Sequence, residues 1–451
     1  MITFRSTQLG AVLSLGLVAT AIACSSDPQQ PAALPPITTA GSGGGGGAAV
    51  TAGTGGMAGS TVVAGAGSGG EAVGGSAGAT GGSSGGGSGG SGGGSVNPGA
   101  YSMVITLDTS AAAANVSADV DNYPLAIQLD ATNFDFTQAG AAGEDVIFEK
   151  LDGTVLPHSI EHWDAVGGTA ALWVKVDKVV GNMAGQQIRM VWGTPGATST
   201  ADSKAVFSKA DGFYGVWHLD EDGNTTADGY KDASEHEAHG TGVGMIPGSR
   251  VDARIGKGID LDNPMGQDTA RWVRVDGEKA TAFNSGPPIT ASVWALAHSY
   301  PLSSYETILC KGDTSWSLQR VQYAPNTGYQ SCLYAEGTFN DWFCVYDFEQ
   351  QELVTEEWLH FMVVLEEPSQ TLYINGEEAG TGSMAEWAQG DHPLGIGNQT
   401  QYLDARRQWD GIIDEARVMQ AARSPSWAKL DYESQREGQT MITYAAAVAN
   451  Q

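Results

Sequence analysis

The chain has 451 residues and a formal charge of −29 at pH 7, from 22 basic and 51 acidic residues. Such a balance argues against nucleic acid and anionic lipid head groups as partners. The charge belongs almost wholly to the part beyond Ala100, because Met1–Ala100 holds only Arg5, Asp27 and Glu71.

In chain order, Arg5 and the apolar run Leu9–Ala23 read as an export signal over residues 1–23, too short to span a bilayer as a helix. Ala21-Ile22-Ala23-Cys24 resembles the lipobox of bacterial lipoproteins, which implies a lipid anchor on Cys24. Ser25 in the next position implies sorting to the bacterial outer membrane, with the periplasmic and exterior faces both open. Two or three acyl chains on one residue would hold stably where one would not. Residues 24–99 are rich in Gly, Ser and Ala and lack the large apolar side chains that offset ordering entropy. They are expected to form a disordered tether spanning roughly 50 Å as a random coil.

The payload reads as all-β. Pro124–Asp130, Ala171–Val180 and Gln187–Gly193 alternate apolar and polar residues, as half-buried strands do. Asp152-Gly153 separates two such runs and predicts a hairpin with both residues at positive φ. A β-sandwich over 100–210 follows. Beyond it, "TASVWALAHS", "YETILCKGD" and three strands within Trp358–Gly380, the last after an Asn375-Gly376 turn, predict a second β domain over 211–436. One short helix is expected near Ser424–Gln435, and residues 437–451 form a tail or final strand.

The second block carries "GFYGVWHLDED", "ITASVWA", "ILCKGD", "EEWLHFMVVLEEPSQTLYINGEE" and "WDGIIDEARVM" in an order that resembles laminin-G-like domains. The resemblance implies a concanavalin A-like jelly roll. The block before it, with "NYPLAIQLDATNFDF", "GEDVIFEKLDGTVLPHSIEHWD" and "MVWGTPGA", is similar to the bacterial domain of unknown function 2341 and implies no chemistry.

The laminin-G resemblance implies one structural Ca2+, and Asp313 and Asp414 are the matching ligands, with Asp220, Glu221 and Asp222 as another oxygen-rich loop. Both aspartates could equally close turns. Sugar binding needs exposed aromatic faces beside hydrogen-bonding groups. Trp316, Tyr334, Trp342 and Trp409 are the candidates, with ordinary packing as the competing reading. Cys310, Cys332 and Cys344 allow three pairings after export. The hairpin around "LYAEGTFNDWF" favours Cys332 with Cys344 and leaves Cys310 as a buried apolar residue.

"SEHEAHG" spaces His236 and His239 one residue too closely for the H-E-x-x-H zinc motif. The paired-carboxylate signature of concanavalin A-like glycosidases is missing, and Asp414 and Glu415, being adjacent, should point to opposite faces of a strand. No catalytic residue emerges. The expectation is a membrane-anchored binding protein for a glycan or an envelope or matrix protein. A glycan hydrolase and a structural envelope component are the alternatives.

Overall fold

The computed structural model describes residues 99–450, apart from 263–269, 277–278, 280–282, 284–285, 301–304, 313–314, 324–325, 335–341, 348–352, 385–391 and 402–406. The side chains of residues 323, 326, 334 and 342 are also outside the description. The expected export signal, the Cys24 anchor, the tether up to residue 98 and Asp313 therefore lie outside the described residues.

The first sandwich starts with β1 (Tyr101–Asp108), β2 (Val120–Asp130), β3 (Ile147–Lys150), β4 (Val155–Leu156), β5 (His158–Asp164), β6 (Thr169–Val179) and β7 (Ala184–Trp192). A short helix, α1 (Ser203–Val206), leads into the second domain. That domain comprises β8 (Phe213–Trp217), β9 (Thr241–Val243), β10 (Arg250–Asp252), β11 (Lys257–Asp260), β12 (Trp272–Val275), β13 (Ile289–Ala297) and β14 (Tyr305–Cys310). It continues with β15 (Trp316–Tyr323), β16 (Asn326–Tyr334), β17 (Trp342–Asp347), β18 (Trp358–Glu366), β19 (Ser369–Ile374), β20 (Glu377–Ser383), β21 (Leu394–Ile396), β22 (Gly411–Met419) and helix α2 (Pro425–Gln435). Two last strands, β23 (Ile442–Tyr444) and β24 (Val448–Ala449), end the chain. No helix among the described residues is long and apolar enough to cross a membrane.

The second domain is a jelly roll of two sheets. One runs β10-β11-β22-β13-β18-β19-β20 with β8 also on β22, and the other runs β17-β16-β15-β14-β21-β12-β9. Between them lies a core containing Trp217, Val293, Leu318, Phe361, Ile396 and Trp409. In the first sandwich, the three-stranded sheet β2-β6-β5 accompanies the sheet β23-β1-β7-β3-β4. The tail predicted at 437–451 thus returns to the first sandwich: β23 and β24 both pair with β1.

A second apolar cluster joins the two domains. Leu125, Ile127, Trp173 and Trp192 of the first sandwich share it with Phe213, Met362, Trp427 and Leu430 of the jelly roll. Each fully buried Leu, Phe or Met in it contributes about 1.5–3 kcal/mol. The helix that closes this seam begins as expected: the Ser424 side chain accepts from the Trp427 N–H at 3.2 Å, and Pro425 occupies the first turn, where its missing N–H costs nothing.

Local turn chemistry holds at Asn375-Gly376, where φ is 52° and 75°, as a two-residue hairpin requires. The Asp152-Gly153 turn differs. Only Gly153 has positive φ, and its N–H donates to Lys150 O at 2.9 Å while the Lys150 N–H donates to Thr154 O at 2.8 Å. That is a longer loop with a single left-handed glycine, so Asp152 is spared the strained conformation.

Candidate functional site

Successive residues of a strand alternate between faces. On β15, Trp316 and Leu318 belong to the jelly-roll core, which turns Ser317 and Gln319 to the outer face of the seven-stranded sheet. Register then carries this face across four strands. Thr307 pairs with Gln319, Gln319 with Gln330, and Gln330 with Tyr346. The next row is Cys310, Ser317, Cys332 and Cys344, ending in the Cys332–Cys344 disulfide. Tyr334 and Trp342 are register partners two positions further along these strands.

Three polar atoms in these rows, Thr307 Oγ1, Ser317 Oγ and Gln319 Oε1, are buried without a hydrogen-bond partner among the described residues. Such groups carry a desolvation penalty until something satisfies them. Tyr346 at the end of one row is 41% exposed.

Trp316 and Trp409 are not binding platforms, contrary to the sequence-based expectation. Each is 1% exposed. Trp316 alternates into the core with Leu318. Trp409 donates its indole N–H to Leu296 O at 3.2 Å and meets Tyr300 edge-on. Tyr334 and Trp342 are register partners, and their side chains lie outside the described residues. Cys310 is buried outside the disulfide, its Sγ 3.5 Å from Asn398 O and 3.4 Å from Gln399 Oε1.

Asp414 is likewise not on a rim loop. It is fully buried in β22, and its Oδ2 accepts from the Ile255 N–H at 2.8 Å. The expectation that Asp414 and Glu415 face opposite ways also fails, because β22 bulges there. Ser292 pairs with Arg417 and Trp294 with Asp414, so Glu415 and Ala416 both oppose Val293, and Glu415 takes φ 52°. The bulge turns Asp414, Glu415 and Arg417 together toward the first sandwich, while Ile413, Ala416 and Val418 face the jelly-roll core. The acidic loop at Asp220–Asp222 is a set of turn closures: Asp222 accepts from the Gly248 N–H and Glu221 from the Lys231 N–H. Burial pushes Glu221 up to about 7.

Facing the β22 bulge is a second one. β5 shifts register between Ile160 and His162, which makes Glu161 the extra residue. Glu161 Oε2 accepts from the Trp173 indole N–H at 2.7 Å and lies 3.4 Å from His218 Nδ1. That nitrogen is 2.6 Å from Glu415 Oε1. Arg417 donates to Glu415 Oε2 at 2.7 Å and to Asp431 Oδ1 at 3.3 Å, with its guanidinium 4.3 Å from the Trp173 ring centre. Asp431 also meets His360 Nε2 at 3.2 Å and the Tyr123 hydroxyl at 3.1 Å.

Burial, then the charges of Glu415 and Asp414, push Glu161 well above the usual carboxylate range. Burial and then Glu415 do the same to Asp414. Burial works the same way on Glu415, but the neighbouring His218 and Arg417 outweigh it and hold Glu415 low. Sequence reading missed this cluster because its members come from three elements, His218 and Glu415 standing 197 residues apart. The H-E-x-x-H test directed attention to His236 and His239, whereas the histidine that meets carboxylates is His218.

Comparison with known proteins places two families on the chain in order. Residues 142–236 match the domain of unknown function DUF2341, and residues 268–429 match the concanavalin A-like lectin/glucanases superfamily. Among solved structures, domain 4 of AbnA, an extracellular arabinanase of Geobacillus stearothermophilus in complex with arabinotriose, is 19% identical. That match covers 42% of this chain and 80% of that one, with a TM-score of 0.32. The binding domain of Paraclostridial Mosquitocidal Protein 1 is 15% identical over 50% of this chain and 53% of its own, at a TM-score of 0.37. The receptor-binding domain of botulinum neurotoxin mosaic serotype C/D is 15% identical over 51% and 52%, also at 0.37. The chain therefore spans about half the length of these toxin domains. No curated protein matches.

Proposed function

We propose that this chain, which carries a DUF2341 module followed by a concanavalin A-like lectin/glucanase domain, is a binding protein that recognises glycan on the outer face of its seven-stranded sheet. The observation that carries this reading is Tyr346, which stands 41% exposed on β17 of this face. A sugar needs an exposed aromatic ring beside hydrogen-bonding groups, whereas Thr307, Ser317 and Gln319 are 0–1% exposed and lie out of its reach. In this account Asp414 belongs to the seam between domains and not to a calcium rim.

The described rows of this face carry hydroxyls, amides and aromatics but no carboxylate pair, which favours binding over glycoside hydrolysis. Glu306, the acid on β14, forms an ion pair with Arg320 at 2.5 Å, both fully buried. We further propose that the payload is displayed from a lipid anchor at Cys24 on the bacterial outer membrane, with an envelope or matrix glycan as its partner.

A glycan array of the purified full chain, run with calcium and again with chelator, tests the reading. Binding to a defined sugar class supports it. A chain that remains folded and binds nothing in either condition shifts the role to protein contact.

A further inference from the structure

The glycan reading makes no use of the acid–histidine cluster at the seam. We propose that Glu161, His218 and Glu415 form a site for a divalent transition-metal ion of the zinc class, clamping the first sandwich to the jelly roll. Glu161 comes from the first domain, while His218 and Glu415 come from the second. One ligand atom of each lies within 4.8 Å of the others.

The carboxylates are arranged as ligands usually are. A metal-binding carboxylate is held by a protein donor through one oxygen while the other turns to the ion. Trp173 holds Glu161 Oε2, and the side chain is 1% exposed with Oε1 unpartnered. Arg417 holds Glu415 Oε2, leaving Oε1 toward His218. Asp414, adjacent on the same bulge and fully buried, repeats the pattern independently: the Ile255 N–H holds Oδ2, and Oδ1 has no partner.

The place of the Glu161 carboxylate depends on a neighbouring glycine. Residue 256 is glycine, and a Cβ there would stand 2.6 Å from Glu161 Oε1. Both glutamates sit at β-bulges, which re-aim side chains and recur near functional sites.

The donor set selects the metal. One imidazole nitrogen with two carboxylates suits zinc and its neighbours, whereas calcium takes oxygen ligands alone and more of them. Bonds of about 2.0–2.1 Å put tetrahedral ligand atoms roughly 3.3 Å apart. Ligand atoms of the three side chains lie within 4.8 Å of one another, close enough to draw in on an ion, and the 2.6 Å contact between His218 Nδ1 and Glu415 Oε1 is a hydrogen bond the ion would replace. Binding through Nδ1 leaves the ring proton on Nε2. Any proton displaced from the ligands passes to solvent.

The full chain, stripped with chelator, would be titrated with ZnCl2 by calorimetry and its metal content measured by mass spectrometry. The proposal expects one zinc per chain, a higher Tm on reloading, and no competition from equimolar calcium. Trp173→Phe leaves all three ligands in place and should weaken zinc binding by about 10–100-fold. Glu161→Gln should abolish stoichiometric binding. Because a seam variant that fails to fold would report nothing, zinc-edge anomalous scattering from wild-type crystals provides the independent readout. A peak between the three side chains supports the site. A folded wild-type chain without stoichiometric zinc, a peak elsewhere, or preference for calcium overturns it.

Discussion

The side-chain amide of Asn450 donates to the Gly99 carbonyl at 2.7 Å, joining residues 351 positions apart, and the Asn450 N–H donates to Ala100 O at 2.8 Å. The two ends of the payload meet here, and β23 and β24 complete the edge of the sheet beside β1. Deleting residues 442–451 should strip β1 of these partners while leaving the jelly-roll core intact. Hydrogen exchange is expected to lose protection in Tyr101–Asp108 and keep it in Trp358–Glu366. Unchanged protection in both strands would show that the C-terminal strands add nothing.

Tyr123 ties the first sandwich to helix α2. Its hydroxyl reaches Asp431 Oδ1 at 3.1 Å and Ser434 Oγ at 2.8 Å, all out of water. Tyr123→Phe preserves the ring packed on Trp427 but leaves both partners short of a bond, at a cost of about 2 kcal/mol. Urea unfolding measures this directly, and a cost near zero would mean that the apolar seam alone holds the domains.

The Cys332–Cys344 disulfide closes a loop between strands with a sequence separation of 12. Loop-closure entropy predicts a loss of about 3 kcal/mol when it is removed. The Cys332→Ser/Cys344→Ser double variant should therefore melt lower than wild type. Because the bond lies on the proposed glycan face, the variant should also bind glycan less tightly at a temperature where it is folded.

His158 is 2% exposed beside Phe148, and burial lowers its pKa, with bonds to the Leu156 and Val146 backbone opposing the shift less strongly. Between its ordinary value and its lowered folded value the unfolded chain binds the proton and the folded chain does not. Stability contributed by neutral His158 is thus present above pH ~6.5 and is lost as pH falls toward the folded pKa. Burial lowers His236 and His239 with the same sign. Wild type should lose more urea resistance between pH 7.5 and pH 5.5 than His158→Gln does; equal losses would assign the pH dependence to other groups.

Much of the β architecture was readable from local signals. The alternation in Ala171–Val180, the Asn375-Gly376 turn and the Ser424 cap each act within a few residues of themselves, and each appears in the structure. What escaped depends on pairing across the chain. Trp316 and Trp409 looked like loop aromatics, but exposure is decided by which face of the sheet meets the core. Glu161 and Glu415 converge because one extra residue in each strand breaks the two-residue period, and periodicity cannot announce its own interruption. The return of Ile442–Ala449 to β1 is a contact between the two ends of the payload that no local pattern encodes.

The most direct test of the central claim is calorimetric titration of a glycan identified on the array into wild-type chain and into the Tyr346→Ala variant, whose side chain is exposed. Losing a ring contact worth about 1.4 kcal/mol weakens binding tenfold. The account predicts at least that loss, with an unchanged Tm. Equal affinity in the two proteins would contradict it and remove the outer face of the seven-stranded sheet as the binding site.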